Sequence, residues 1–417
     1  MPTLPIRSRS GRWKIITGSG SSNPSASLPE ATTQTSPPMK SSPNLPSGRI
    51  LRVFYGAFTL VEILVSLAVL AILLLISAEV IGTVQTTWTA TNARVNQFRE
   101  ARTAFDIITR NISQATLNTY VDYDTNYLNS ADPVAATTQA PTRYQRKTEL
   151  RFVCGPASTL IPTGGASVLP GSAVFFQAPL GVTHDPQFAG LDRLLCGRGY
   201  YVQYSSDEFF RPGFITSSTL KYRYRLMEFS PPSERSIIYA NQRNAWMQDA
   251  GRSLTDSAGR SGGGGNETSI NRGMNRPVAD NIVALVISPM LDPGSAGGGA
   301  SSTVIAENFA YDSDEVRLAN SAGMGQQGTQ YLLPPLVRVV LVAIDERSAE
   351  RLVQTNGGGD GQSPPFGTQI HDIINGSPAS QLNQSLEEVA RVLREEFRVN
   401  YRIFSTTVAL RGAKWST

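Results

Sequence analysis

The stretch Ala57-Phe58-Thr59-Leu60-Val61-Glu62-Ile63-Leu64-Val65-Ser66-Leu67-Ala68-Val69-Leu70-Ala71-Ile72-Leu73-Leu74-Leu75-Ile76 decides how the chain is read. It is apolar almost throughout and holds neither Gly nor Pro. As a helix rising ~1.5 Å per residue, about 20 such residues span the ~30 Å hydrocarbon core of a bilayer. Glu62 is its one charged residue. An ionised carboxylate in lipid is costly unless it is paired or lies near the interface, so an acid at this place asks for a function. A plain signal anchor that tolerates one acid near its end is the competing reading.

Working outward toward the N-terminus, the flank is basic. Arg7, Arg9, Arg12, Lys14, Lys40, Arg49 and Arg52 stand against Glu30 alone, and the whole chain carries a net charge of only +4. Much of the excess therefore sits before the apolar run. A basic flank stays cytoplasmic, which directs the long C-terminal part out of the cytoplasm. Nucleic-acid binding is disfavoured, because the arm has neither a dense basic run nor interleaved aromatics. Residues 1–50 are rich in Ser, Pro and Thr without an apolar period and read as disordered. Met39-Lys40 opens a shorter basic leader ending at Ala57, so deletion of residues 1–38 is expected to leave membrane insertion intact.

The motif at the head of the apolar run, Phe58-Thr59-Leu60-Val61-Glu62 after the small residue Ala57, resembles the start of type IV pilins and type II secretion pseudopilins. The resemblance implies cleavage between Ala57 and Phe58 by a membrane prepilin peptidase, then N-methylation of Phe58. The family's usual residue before the cut is Gly. A cut after Gly56 would make Glu62 the sixth residue, whereas a cut after Ala57 keeps it fifth, as in the family. The resemblance also implies the role of Glu62: pairing with the N-terminal amine of a neighbouring subunit during assembly. Pairing relieves an isolated acid in lipid and fixes the stagger between helices.

Beyond the span, from about residue 79 to 118, the helix is expected to continue as an amphipathic half. No Pro interrupts residues 57–132, and Gly82 is the one weak point. Phe98, Ala101, Phe105, Ile108, Ile112 and Ala115 alternate spacings of three and four and form one stripe. A helix from Phe58 to about Leu117 would be ~90 Å long. A coiled-coil stalk explains the stripe too, but few apolar heptads and a large following domain favour packing on a sheet.

From about Asn118 the sequence changes to short β-rich runs between Gly-, Ser- and Pro-rich loops. The expected strands are Glu149–Val153, Ala173–Gln177, Gly199–Tyr204, Tyr222–Phe229, Ile282–Ile287, Leu336–Ile344 and Tyr401–Leu410. Tyr222 to Leu226 alternates with polar residues and reads as half-exposed; Val283–Ile287 and Val339–Ile344 read as interior. Leu386–Phe397 reads as an amphipathic helix. Residues 251–275, 292–303 and 355–367 read as Gly-rich loops.

Few residues point to chemistry. Cys154 and Cys196 each follow a strand-like run. A disulfide closing a loop of roughly 40 residues would contribute ~4 kcal/mol on the chain-entropy model; two separate buried thiols are the equal alternative. Neither belongs to a CxxC pair, which argues against a metal site. His184 and His371 lie in loop-like stretches without a ligand or nucleophile partner nearby. Asp122 and Asp124, and Asp312, Asp314 and Glu315, could hold Ca²⁺ at alternate positions, but neither group has EF-hand spacing and solvated turns are expected. No nucleophile elbow, zinc-protease, P-loop or dinucleotide motif stands in its required context. No catalytic residue, metal or cofactor is therefore expected.

A series of blocks extends the resemblance. Leu117 to Asp124, Ala173 to Gly181, Tyr224 to Phe229, Ala279 to Leu285, Leu333 to Val337, Ala343 to Glu346 and Asn400 to Trp415 together look like the family called Verru_Chthon cassette protein C. Leu333 to Leu341 is also similar to minor pseudopilins of the J type. The expected fold class is α+β, a long N-terminal helix on an antiparallel β-rich pilin-like domain. Leader 1–57, membrane half 58–78, amphipathic half 79–118 and head 119–417 are its expected parts. The resemblance implies a single-pass inner-membrane structural subunit, not an enzyme. Its implied partners are the peptidase, other pilin-like subunits, the inner-membrane assembly platform and lipid. A bulky head favours a minor or tip position. A pilin-anchored adhesin or cargo receptor, and more distantly an anchored hydrolase, are the alternatives.

Overall fold

The computed structural model describes residues 59–123, 144–161, 169–183, 185–190, 194–207, 219–233, 236, 238, 246–247, 250, 274–291, 304–319, 325–356 and 363–413. It divides into two compact units, residues 1–71 and residues 72–417. The leader, with Ala57 and Phe58, lies outside the described residues, as do His184, Asp124, residues 251–273 and residues 292–303.

Helix α1, Leu60–Ile112, begins in the first unit and continues into the second. Every residue from Thr59 to Thr89 is exposed. Among the described residues it is the one helix long and apolar enough to cross a membrane. Gly82 does not break it, because the Gly penalty of about 1 kcal/mol is small against neighbours that all favour or tolerate a helix. The hydroxyls of Thr83, Thr86, Thr87, Thr89 and Thr91 donate to carbonyls three or four residues back, so this stretch satisfies its own polar groups.

The expected stripe is buried at Ala101, Phe105, Ile108, Ile112 and Ala115, joined by Gln97 and Ala104. The helix ends at Ile112, earlier than Leu117. Ser113 and Gln114 form a closing turn, and Thr116 then donates its N–H to Gln177 O at 2.9 Å, running extended beside the sheet.

That sheet has six antiparallel strands: β3 (Val153–Pro156), β4 (Ser172–Ala178), β5 (Cys196–Ser206), β6 (Tyr222–Phe229), β7 (Asn275–Asp280) and β9 (Tyr311–Asp312), in the order β7-β6-β5-β4-β3-β9. A second sheet of three strands has the order β11-β10-β8, with β8 (Ile282–Met290), β10 (Leu336–Ile344) and β11 (Tyr401–Ala409). β1 (Tyr120–Tyr123) and β2 (Tyr144–Lys147) form a separate two-stranded ribbon. β8 packs against β4, β5 and β6, so the two sheets share one core, which α1 completes.

Strand periodicity explains the sequence of the larger sheet. Val174 and Phe176, Tyr200 and Val202, and Tyr224 and Leu226 face the α1 side. Ala173, Phe175, Tyr201, Met227 and Phe229 face a second apolar cluster under Trp246. Both faces are covered, so β4 reads as a continuous apolar run. β6 is a correction to the half-exposed expectation: Arg225 and Glu228 are buried, held by partners rather than water.

Other boundaries move for local reasons. Glu149–Val153 is not a strand; Thr148 to Phe152 links β2 to β3, with Asn118 Oδ1 and Gln177 Oε1 accepting its backbone N–H groups. The C-terminal helix starts earlier than expected, at Leu382, and ends at Glu395 (α5, Leu382–Glu395). Among the described residues three α-helices fall where no helix was expected: α2 (Ala157–Leu160), α3 (Glu346–Asn356) and α4 (Gln369–Asn375). Asp345 opens α3 by accepting the Ser348 N–H on Oδ1 at 3.3 Å, the bond an N-cap acid makes. His371 therefore sits on a helix and not a loop, within 2.9 Å of the Asn375 amide.

Candidate functional site

Two places gather polar groups for which folding alone gives no full reason: the start of α1 and a cleft beside its end.

At the start of α1, Thr59 precedes the helix and its Oγ1 accepts the Glu62 N–H at 3.3 Å. Thr-x-x-Glu is the spacing of a capping box, in which the hydroxyl satisfies an orphan N–H of the first turn. Glu62 is the acid of that turn, where the positive end of the helix dipole favours a carboxylate. The Glu62 side chain has no hydrogen-bond or ion-pair partner among the described residues, and its neighbours Val61 and Ile63 are exposed. The motif thus combines a local role, starting the helix, with an acid left free at the end of an exposed apolar stretch.

The second place is built by register. Tyr200 on β5 stands opposite Glu228 on β6, and Glu228 stands opposite Arg276 on β7. Arg198 lies two residues from Tyr200 and so on the same face. Glu228 is buried and saturated: it accepts from Arg198 Nη1 at 3.1 Å, from the Tyr200 hydroxyl at 2.6 Å and from Arg276 Nε at 2.6 Å. Asn111 of α1 closes the network by donating to the Tyr200 hydroxyl at 2.6 Å. Burial, then the Glu228 charge beside it, pushes the Tyr200 phenol well above its ordinary range. This cluster escaped sequence reasoning. Its one visible trace is charged residues set among aromatics in Cys196 to Tyr201 and Tyr222 to Phe229, which the alternation rule assigned to solvent.

The remaining candidates resolve into structure. Cys154 and Cys196 are separate buried thiols and form no disulfide. Cys154 on β3 pairs with Val174, whereas Cys196 on β5 pairs with the far end of β4 at Ala178. One strand and several residues of register stand between them, beyond the ~7 Å Cα separation that a disulfide tolerates. Burial pushes the Cys154 thiol up to about 12. Asp312 and Asp314 are not solvated turn residues; both meet the half-buried Arg151 guanidinium, Asp312 as a two-pronged pair. Glu315 pairs with Arg317, and Asp122 pairs with Lys147 at 2.8 Å. Among the described residues no group of three or more His, Cys, Asp or Glu side chains could hold a metal ion.

No protein-family model, no curated protein and no solved structure matches the chain.

Proposed function

We propose that the chain is a pilin-like structural subunit of the minor pseudopilin kind, inserted in the inner membrane by the first part of α1 with its head on the far side. In this reading prepilin peptidase cuts between Ala57 and Phe58, Phe58 is methylated, and the subunit joins other pilin-like subunits through the assembly platform of a type II secretion or type IV pilus-like apparatus. The observation that carries it is the division of labour along α1: the same helix is exposed and apolar but for Glu62 and Ser66 from Leu60 to Ile76, and further on it buries Ala101, Ala104, Phe105, Ile108 and Ile112 in the head's core. The unpartnered Glu62 at its start supports the reading, because an acid there gains most from a neighbour's amine.

The test is assembly of a Glu62→Ala chain, fractionated into membranes and sheared filaments beside the unaltered chain. The expected result is normal insertion and processing with loss of filament incorporation; incorporation equal to the unaltered chain contradicts the reading.

A second reading, a pilin-anchored binding module, is favoured by one observation. Tyr123 and Tyr144 pair at 5.2 Å on the β1–β2 ribbon, both exposed, with Tyr120 exposed on the same ribbon. Exposed aromatic rings are common contact groups for ligands with apolar faces.

A further inference from the structure

The cleft beside the end of α1 has a composition that structural need does not explain. It is lined by Ile107, Arg110 and Asn111 of α1 with Gln114 of its closing turn, by Pro277 and Val278 of β7, and by Leu180 and Val182 of the segment after β4. Its floor is the Arg198–Glu228–Arg276 row, and its volume is about 730 Å³, within the ~300–1,000 Å³ of small-ligand sites. Three guanidinium groups line it against one carboxylate. That carboxylate is already saturated, since Glu228 accepts from Arg198, Tyr200 and Arg276. The unused capacity is therefore mostly donor. Arg198 Nε is buried without a hydrogen-bond partner, although Arg198 itself is only 4% exposed. Arg198 donates Nη1 to Glu228 and Nη2 to the Leu180 carbonyl, so the cations open to a ligand are Arg110 and Arg276, whose side chain is more than half exposed. Arg110 is exposed, and its guanidinium has no acid partner among the described residues.

We propose that this cleft binds a carboxylate carried on an apolar body. The guanidinium groups suit a carboxylate because their forked donors match its two oxygens. Ile107, Leu180, Val182 and Val278 give the rest of the ligand an apolar wall. The same chemistry is offered by a free organic acid and by the C-terminus of a peptide that ends in an apolar residue.

The test is calorimetric titration of the full chain in a neutral detergent with two pairs of probes. One pair is 4-phenylbutyrate and 4-phenylbutanamide; the other is N-acetyl-Ala-Leu with a free carboxylate and with a C-terminal amide. The expected result is that at least one acid binds, that its amide binds about tenfold more weakly or worse, and that Arg110→Gln weakens the acid about tenfold while leaving the amide unchanged. Binding of phenylbutyrate alone identifies a free acid as the ligand, and binding of the peptide acid alone identifies a chain terminus. Arg276→Gln, changed at a residue more than half exposed, is the second variant, and weakening of the acid is expected there too. Equal affinity for acid and amide, absence of binding by both acids at millimolar concentration, or acid affinity unaltered by both Arg variants overturns the proposal.

Discussion

Tyr200 and Glu228 face each other across β5 and β6, and the Tyr200 hydroxyl donates to Glu228 Oε1 at 2.6 Å under the last turn of α1. Asn111 donates to the same hydroxyl, so a single phenol ties the helix to an acid inside the sheet. The long helix and the buried charges of the head are thereby one structural unit from Ala101 onward.

Removing Glu228 should be severe. Glu228→Ala strands Arg198, whose side chain is 5% exposed, as a buried unpaired cation. Breaking a buried pair by deleting one partner costs ~3–5 kcal/mol. Tyr200→Phe removes two hydrogen bonds, the one to Glu228 and the one from Asn111, but strands no charge and should cost only about 2–3 kcal/mol. Urea unfolding of the full chain in detergent, followed by near-ultraviolet circular dichroism, measures both; similar losses for the two variants would show that Glu228 is not the centre of the network.

Gly171 should not tolerate a side chain. It has φ +78° and bridges Leu285 of β8, where an added Cβ would lie 2.4 Å from the Leu285 carbonyl oxygen. The left-handed backbone alone costs an L-residue about 1 kcal/mol or more, and here the joint between the two sheets must also open. Gly171→Ala should lower the melting temperature clearly, whereas Gly82→Ala, with open space around its Cβ, should leave it unchanged or raise it. Equal melting temperatures for the two variants would contradict the sheet-to-sheet joint.

The two parts of α1 should respond differently to the same kind of truncation. Ile108 is fully buried, and Ile108→Ala should cost ~2–5 kcal/mol of head stability. Val84 is 60% exposed, so Val84→Ala should leave the head's unfolding within ~0.5 kcal/mol of the unaltered chain. Limited proteolysis against urea reads both, and a large loss from Val84→Ala would mean that this part of the helix is packed in the isolated chain.

Alkaline pH should unfold the head. Cys154 is an acid whose folded value is raised to about 12 from an ordinary 9.0, by burial first. Tyr200, Tyr201, Tyr224 and Tyr311 are raised from 10.0 for the same first cause. The unfolded chain therefore releases these protons at lower pH than the folded one. Stability from these groups is whole below about pH 9 and falls as pH rises toward 12. Melting temperatures between pH 8 and 11 should drop steadily, and Cys154→Ala should reduce the slope; a flat profile would mean these groups are open to water.

The long helix, its buried stripe and the strands Tyr222–Phe229 and Leu336–Ile344 were legible because their apolar periods are long and strict. β7 was hidden because Asn275-Arg276-Pro277 follows a Gly-rich tract and reads as loop, although Pro277 fits an edge strand. α3 was hidden because Glu346 to Asn356 is mostly polar, with its packing limited to Ser348, Ala349 and Leu352. The Arg198–Glu228–Arg276 row was invisible for a deeper reason. Alternation sorts charged residues to solvent, and only the register of three strands, set by contacts far apart in sequence, shows that these charges meet one another. The start motif, by contrast, is local, so Glu62 stood out from its apolar neighbours, whereas the bond from its N–H to Thr59 Oγ1 is visible in the structure alone.

The central claim, a pilin-type precursor, is tested most directly by N-terminal mass analysis of the protein recovered from membranes with and without prepilin peptidase. The account predicts a mature chain that begins at methylated Phe58 when the peptidase is present and an uncut chain when it is absent. A chain that begins at Met1 or Met39 in both cases would contradict it and leave a plain signal anchor.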